Sequence, residues 1–210
     1  PLDFEIGREM EERFHLHDVV VVKGMPSLAA TLDEIGRAAV EYLEQVIHPG
    51  DILGFGWSST VGRMAAYTDR LQCAGGCQVV DLVGSMLGQV NPYSVSGKVA
   101  AALDVPLAAL SVPVIVQSEV VHDAIVHDPN IAGTLELARR STIAVVGVGD
   151  VGPNNALVAG GYLKPAELDN LRARGVVGDV LMRFYDISGQ PIEHEADRRI
   201  IGLTWADLTH

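Results

Sequence analysis

Short apolar runs rich in β-branched residues alternate along this chain with longer stretches whose apolar positions fall three and four residues apart, and that alternation leaves few architectures open. Val19-Val20-Val21-Val22 is wholly apolar and too short for a helix, so it predicts a buried strand closed by Lys23-Gly24. From Leu28 the positions Leu32, Ile35, Ala39, Leu43 and Val46 mark one helix face that stops at His48-Pro49-Gly50, with Thr31 and Glu34 spaced as a capping box. The pattern repeats as a strand at Ile52–Phe55, a helix over 61–71, a strand at 78–83, a helix over 94–103 and a strand at 107–110. A helical stretch over 119–140, a strand at 143–147, a helix over 165–174 and a strand at 180–185 follow, and 200–208 reads as a strand running into a helix start. Ahead of these, Phe4, Ile6, Met10 and Phe14 among charged residues predict a short amphipathic helix leading into the core. Strands separated by helices pair in parallel through crossovers, so the expected fold is α/β, a mainly parallel sheet with helices on both faces.

With 210 residues, 48% of them hydrophobic, the chain can bury one sizeable core, and residues 1–210 are read as one domain. The formal net charge of -12 repels a phosphate backbone, so these residues by themselves are not expected to grip DNA. No apolar run is long enough to span a bilayer, and the longest candidate, 105–116, is broken by Pro106 and Pro113. No membrane partner is expected, and the location is read as cytoplasmic. The opening Pro1-Leu2-Asp3-Phe4 carries no initiator Met and no leader pattern, and reads as the start of a piece of a longer chain. Cys73 and Cys77 lack two further ligands at zinc-like spacing and are read as reduced thiols, so no metal and no cofactor is expected.

The sharpest chemical feature is Asp51-Ile52-Leu53-Gly54-Phe55-Gly56-Trp57-Ser58-Ser59-Thr60, a strand passing through a glycine turn into hydroxyl residues that open a helix. Free backbone N–H groups at such a place favour an anion, and Ser58, Ser59 and Thr60 add donors suited to phosphate oxygens. The same residues serve equally as plain N-caps; no P-loop Lys follows and no Gly-x-Gly-x-x-Gly occurs. A second glycine turn, Gly147-Val148-Gly149-Asp150-Val151-Gly152, follows the strand at Ile143. It falls at the carboxyl edge of the sheet, where open α/β proteins take up ligands, although a simple strand-to-loop turn has the same composition. Asp179 precedes the strand at 180–185, where a carboxylate accepts hydrogen bonds from sugar hydroxyls or is merely solvated. His122-Asp123 and His127-Asp128 repeat a pair, but five-residue spacing puts the two His on different helix faces, and Asp128-Pro129 reads as a break with a cap. Lys98 reads as a solvated head on its stem, and with no Gly-x-Ser-x-Gly or His-Glu-x-x-His present no catalytic residue is expected.

Several segments, taken in order, carry a resemblance to a known family. They are 5–22, Ala39-Val40-Glu41-Tyr42-Leu43 with 51–60, and His127-Asp128-Pro129-Asn130-Ile131 with 142–150. The longest is Gly175-Val176-Val177-Gly178-Asp179-Val180-Leu181-Met182-Arg183-Phe184-Tyr185-Asp186, continuing through Gly189-Gln190-Pro191 to Asp197-Arg198-Arg199-Ile200-Ile201-Gly202-Leu203. Over nearly its whole length the chain resembles the sugar-binding, effector-sensing domain of SorC/DeoR-type transcriptional regulators.

The resemblance implies a Rossmann-like fold similar to ribose-5-phosphate isomerase and glucosamine-6-phosphate deaminase. It implies an N-terminal helix-turn-helix and a C-terminal Gly-Gly-x-x-Lys segment, both outside residues 1–210. It further implies that a phosphorylated sugar is held at its phosphate by Gly56, Ser58, Ser59 and Thr60, with Ser94, Gly149, Asp150 and Asp179 around the sugar. Operator DNA would be met only through the helix-turn-helix, in a homodimer or homotetramer whose grip the effector changes. The alternative from another class is a phosphosugar isomerase or deaminase on the same fold, which needs a positioned base that the sequence does not point out.

Overall fold

The structure, a computed structural model, describes residues 3–73, 75–85, 94–153 and 155–208. Four strands, β1 (Ile52–Phe55), β2 (Gln78–Asp81), β3 (Leu107–Ala108) and β4 (Ile143–Val145), pair in parallel in the order β3-β2-β1-β4. The chain moves outward from β1 through β2 to β3 and then returns to the other side of β1. That reversal opens a crevice between the carboxyl ends of β1 and β4, where the loops leave in opposite directions. Helices α1 (Phe4–Phe14), α2 (Leu28–Val46), α3 (Ser96–Leu103), α4 (Glu119–Val126), α5 (Pro129–Arg139), α6 (Ala156–Ala159), α7 (Pro165–Ala173) and α8 (Trp205–Leu208) accompany the strands. Three further strands, β5 (Val148–Asp150), β6 (Val176–Val180) and β7 (Arg183–Asp186), form an antiparallel sheet beyond β4.

Alternate strand residues face opposite sides, and both sides of the parallel sheet are apolar, so each is covered. Leu53, Phe55 and Val79 pack with Val40 and Leu43 of α2 and Val99 and Leu103 of α3. On the other face Val80 and Leu82 join Ala138 of α5, Leu168 and Leu171 of α7, and Val176 and Phe184 of the second sheet. The Rossmann-like α/β expectation holds. No helix among the described residues is long and apolar enough to cross a membrane.

Several local expectations are corrected. Val19–Val22 is not a buried strand: Val20 is 44% exposed, and only Val22 makes a bridge. This run instead seats α1, with the Asp3 N–H donating to Val21 O (2.9 Å) and the Val19 N–H to Glu11 Oε1 (2.8 Å). Nor does α1 lead into the core, since Phe4 is 79% exposed and only Gly7 is buried. The cap of α2 is Ser27, whose hydroxyl oxygen accepts from the Ala30 N–H (3.2 Å); Thr31 accepts from the Met25 N–H and Glu34 pairs with Arg37. The helix over 61–71 is two short 3-10 turns, Val61–Ala66 and Thr68–Arg70. The helical stretch over 119–140 divides at Asp128, whose carboxylate caps α5 as expected. Cys73 and Cys77 are joined in a disulfide, because Gly75 and Gly76 take positive φ (109° and 77°) and fold the chain back on itself.

Gly36 lets α2 approach the 3-10 turn that follows the glycine–hydroxyl loop. A Cβ there would lie 2.5 Å from Arg63 Cβ and 2.7 Å from its carbonyl carbon. Alanine gains about 1 kcal/mol of helix propensity over glycine. Forcing backbone apart in a packed contact costs about 1–3 kcal/mol or more. Gly36→Ala is therefore expected to destabilise by up to about 2 kcal/mol, against the propensity scale, and to lower the urea midpoint at unchanged slope.

Candidate functional site

β1 ends at Phe55, and Gly56 is still bound to the sheet, its N–H donating to Val145 O (2.9 Å). The next four N–H groups, those of Trp57, Ser58, Ser59 and Thr60, donate to no acceptor among the described residues. Ser58 closes the 3-10 turn: its hydroxyl oxygen accepts from the Val61 N–H (3.0 Å) and its carbonyl from the Gly62 N–H (2.9 Å). Its side chain lies across the crevice against Gly147, where a Cβ would come within 2.6 Å of Ser58 Cβ. Ser59 is exposed and Thr60 half-buried, and neither hydroxyl has a partner among the described residues. With 3-10 turns in place of an α-helix, little macrodipole reaches this loop; its capacity for an anion rests on the successive N–H groups and the two hydroxyls.

From Gly147 the chain enters β5, in which Gly149 faces Asp179 of β6. The expected glycine turn at 147–152 is thus partly strand, and glycine is needed at 149 because a Cβ would lie 2.9 Å from Asp179 Cγ. The strand expected at 180–185 is a hairpin: Leu181 (φ 51°) and Met182 (φ 65°) form its tip, so Asp179 is buried within a strand and not solvated ahead of one. Two successive positive φ values match the twist of a two-residue hairpin but are costly for bulky residues. The conformation places Leu181 against Gly56, where any Cβ would run into Leu181 Cδ2. Asp179 Oδ2 accepts from the Met182 N–H (3.1 Å). Burial pushes the Asp179 carboxyl up to about 6; the Met182 hydrogen bond pulls against this and the Asp150 charge adds to it. Asp150 itself is exposed, and its carboxylate accepts from the Gly152 N–H. The Tyr185 hydroxyl is pushed up by burial and by Asp179.

On the β2 side of the loop lies a narrow cleft lined by Phe55, Gly56, Trp57, Asp81, Ser85 and Ser94, with room for about one water molecule (10 Å³). Asp81, the last residue of β2, accepts from Ser96 Oγ (2.6 Å) and from the Leu110 N–H (3.1 Å). Burial pushes its carboxyl up, and both hydrogen bonds oppose that shift. Ser94 Oγ stands 3.2 Å from Ser96 Oγ.

The structure therefore brings Gly56 and Ser94 together on one side of the loop, and Ser58, Gly149 and Asp179 into a connected group on the other. Ser59 and Thr60 lie at the turn between them. Asp81 escapes the sequence reading, although an acidic residue closing an apolar strand at the ligand-facing edge is a usable signal. His122 pairs with Asp123 (3.1 Å), His127 with the Asp123 carbonyl (2.6 Å), and Lys98 is exposed on α3; none of these lines the cleft. Among the described residues no group of three or more His, Cys, Asp or Glu is placed to hold a metal ion.

An open parallel sheet with unpaired donors at its switch point is the arrangement of an α/β small-molecule-binding domain. A family model described as "Putative sugar-binding domain" matches residues 2–210, and the chain belongs to this family, the sugar-binding domains of SorC/DeoR-type transcriptional regulators. It is 30% identical over 208 residues to the uncharacterized transcriptional regulator YjhU of Escherichia coli, covering 95% of this chain and 63% of that protein. It is 28% identical to the deoxyribonucleoside regulator of Bacillus subtilis, covering 97% and 66%. The chain thus spans less than two thirds of the length of these two relatives. The crystal structure of the full-length sorbitol operon regulator SorC from Klebsiella pneumoniae shares the fold, with a TM-score of 0.85 at 22% identity over 98% of this chain and 67% of that one.

Proposed function

We propose that this domain senses a phosphorylated sugar in the crevice between the carboxyl ends of β1 and β4, and that occupancy changes the DNA grip of a helix-turn-helix elsewhere in the protein. One observation carries the reading: four consecutive backbone N–H groups, Trp57 to Thr60, without an acceptor among the described residues. Backbone N–H groups that the fold leaves without a protein acceptor are open to a ligand, and phosphate oxygens meet them in charge-assisted bonds. Gly56 makes room for Leu181 where the loop leaves β1, Ser58 contributes through its N–H, and Ser59 and Thr60 add hydroxyls. Gly149, Asp150 and Asp179 flank the sugar on the β4 side of the loop and Ser94 on the β2 side, with the Asp179 carboxylate accepting from its hydroxyls. The names of two relatives, a deoxyribonucleoside regulator and a sorbitol operon regulator, fit a polyhydroxylated effector.

The protein works, in this reading, in the cytoplasm as a homodimer or homotetramer, for which the exposed apolar residues Phe4, Ile6, Met10 and Phe14 of α1 supply a surface. Its role is sensing without turnover. Calorimetric titration with sugar phosphates, the matching free sugars and inorganic phosphate tests the proposal. A phosphosugar is expected to bind about 10–100-fold more tightly than its free sugar, and Ser59→Ala with Thr60→Val to lose about 10-fold. Failure of every phosphosugar, or equal binding of the free sugars, removes it. The enzymatic alternative is favoured by one observation, an Asp179 carboxyl held near 6 and so suited to proton transfer. Turnover of ribose 5-phosphate or glucosamine 6-phosphate, lost in Asp179→Asn, would establish it in place of sensing.

A further inference from the structure

The cleft wall opposite the Trp57–Thr60 loop is built in the reverse hydrogen-bonding sense. An ionised carboxylate only accepts, so the 2.6 Å contact from Ser96 Oγ to Asp81 uses the single hydrogen that the Ser96 hydroxyl has. The Leu110 N–H holds the other carboxylate oxygen in place at 3.1 Å. Ser96 is left with lone pairs alone, so in its 3.2 Å contact with Ser94 the hydrogen comes from Ser94. Ser94 then meets the cleft as an acceptor with nothing to donate. Ser85, on the same wall, directs its hydroxyl hydrogen to Leu110 O (3.4 Å), and the Trp57 indole N–H goes to Gly84 O (2.9 Å). Among the described residues, the side-chain donors that line the cleft, on Trp57, Ser85, Ser94 and Ser96, are directed into the protein.

We infer that Asp81, acting through Ser96, fixes Ser94 as an acceptor and makes this wall a reader of ligand hydroxyl hydrogens, so that a polyol phosphate is taken with its phosphate at Ser59–Thr60 and a phosphorylated sugar acid is refused. The inference rests on the phosphosugar reading above and adds to it the ligand's direction and its class. A carboxylate brought against Ser94 would find lone pairs facing lone pairs, beside the charge of Asp81. A terminal CH2OH would supply the hydrogen that the wall lacks. Asp81 is a positioning residue in this account, since Ser94 and not Asp81 makes the contact.

The test is calorimetry on matched ligand pairs that differ only in having CH2OH or carboxylate at the end distant from the phosphate. Suitable pairs are erythritol 4-phosphate with 4-phosphoerythronate, ribitol 5-phosphate with 5-phosphoribonate, and sorbitol 6-phosphate with 6-phosphogluconate. In whichever pair binds, the polyol phosphate is expected to be tighter by about 10-fold, the order for setting a carboxylate in place of a hydroxyl donor against an acceptor. Asp81→Asn offers an amide donor to Ser96 and frees the hydroxyl hydrogens to turn toward the ligand, so the ratio should narrow to about 3-fold or less. Ser96→Ala cuts the relay without altering the carboxylate and should narrow the ratio in the same direction, which keeps the test open if Asp81→Asn folds poorly. A merely structural role for Asp81 would weaken both members of a pair alike and leave the ratio unmoved. An unmoved ratio in both variants, or equal binding of the pair by the wild type, overturns this inference while the phosphosugar reading stands. Binding of no phosphorylated compound overturns both.

Discussion

Asp179→Asn is expected to make the domain more stable and a poorer receptor at the same time. Asp179 is 8% exposed and its carboxyl is pushed up to about 6 by burial, whereas in the unfolded chain it returns to the ordinary value of 3.8. Below pH 4 both states hold the proton and nothing is gained or lost. As pH rises from 4 to 6 the unfolded chain releases it while the folded domain retains it, and each pH unit lowers stability by about 1.4 kcal/mol. Above pH 6 the full penalty, of the order of 2–3 kcal/mol, is present. Asparagine cannot ionise but keeps an oxygen for the Met182 N–H, so the variant should gain about 2 kcal/mol at pH 7.5 and lose the downward slope between pH 4 and 6. If Asp179 accepts from the sugar as proposed, affinity for the phosphosugar should fall about 10–100-fold, because a charged acceptor has become a neutral one. Urea denaturation across pH, paired with calorimetry, reads both effects. A variant that loses stability, or that binds as well as the wild type, would take Asp179 out of the ligand site.

Arg183→Ala is expected to cause the largest loss of stability, about 3–5 kcal/mol, the range for removing one partner of a buried charged pair. Arg183 is 7% exposed and directs its guanidinium at Leu203 O (3.3 Å), Asp197 O (2.8 Å), Ile200 O (3.5 Å) and the Asp197 carboxylate (3.4 Å). Those acceptors belong to the segment 197–203, whose own backbone is bonded to Leu82, Gly84 and Val114 near the parallel sheet. Arg183 thus fastens the β6–β7 hairpin, which carries Asp179 and Leu181, to the element that positions the loops. Truncation takes the Arg183 donor from three carbonyls and from Asp197 Oδ1, while Asp197 Oδ2 keeps the His194 N–H, and it opens a hole. Arg183→Met, which fills the volume without the charge, should recover part of the loss. Chemical denaturation of the two variants decides the matter: a loss below about 1 kcal/mol would mean that burial of Ile200, Ile201 and Leu203 holds the segment without help.

Much of this architecture is legible in the residues taken one after another. The three- and four-residue spacing from Leu28 to Val46 and the apolar run Ile52–Phe55 predict α2 and β1 at their observed bounds, because each pattern reports on a face that has to be covered. Asp128 before Pro129 predicts the break between α4 and α5, since a short side-chain acceptor and a fixed φ act within one turn. The hairpin at β6–β7 is not legible. Leu181 and Met182 are poor residues for positive φ, and only the packing of Leu181 against Gly56 explains why the chain turns there. Val19–Val22 fails in the opposite way: a β-branched run shows that a pleated, half-covered surface suits it, not whether a sheet or a helix such as α1 does the covering.

The candidate site divides along the same line. Glycine and hydroxyl residues after β1 already state that a donor-rich loop leaves the sheet, because backbone freedom and side-chain chemistry are local properties. Which donors are left over is not local. The Ser58 hydroxyl oxygen is taken up within its own turn while its side chain meets Gly147, Gly149 makes room for Asp179, and Asp81 finds Leu110 across 29 residues of chain. The order of residues determined, by itself, the helices and strands with clear periodicity and the presence of a glycine- and hydroxyl-rich loop after β1. Only the tertiary structure decided which carboxylates are buried and which donors and acceptors pair within the fold, because a polar group's partner is set by what folding brings within about 3 Å of it.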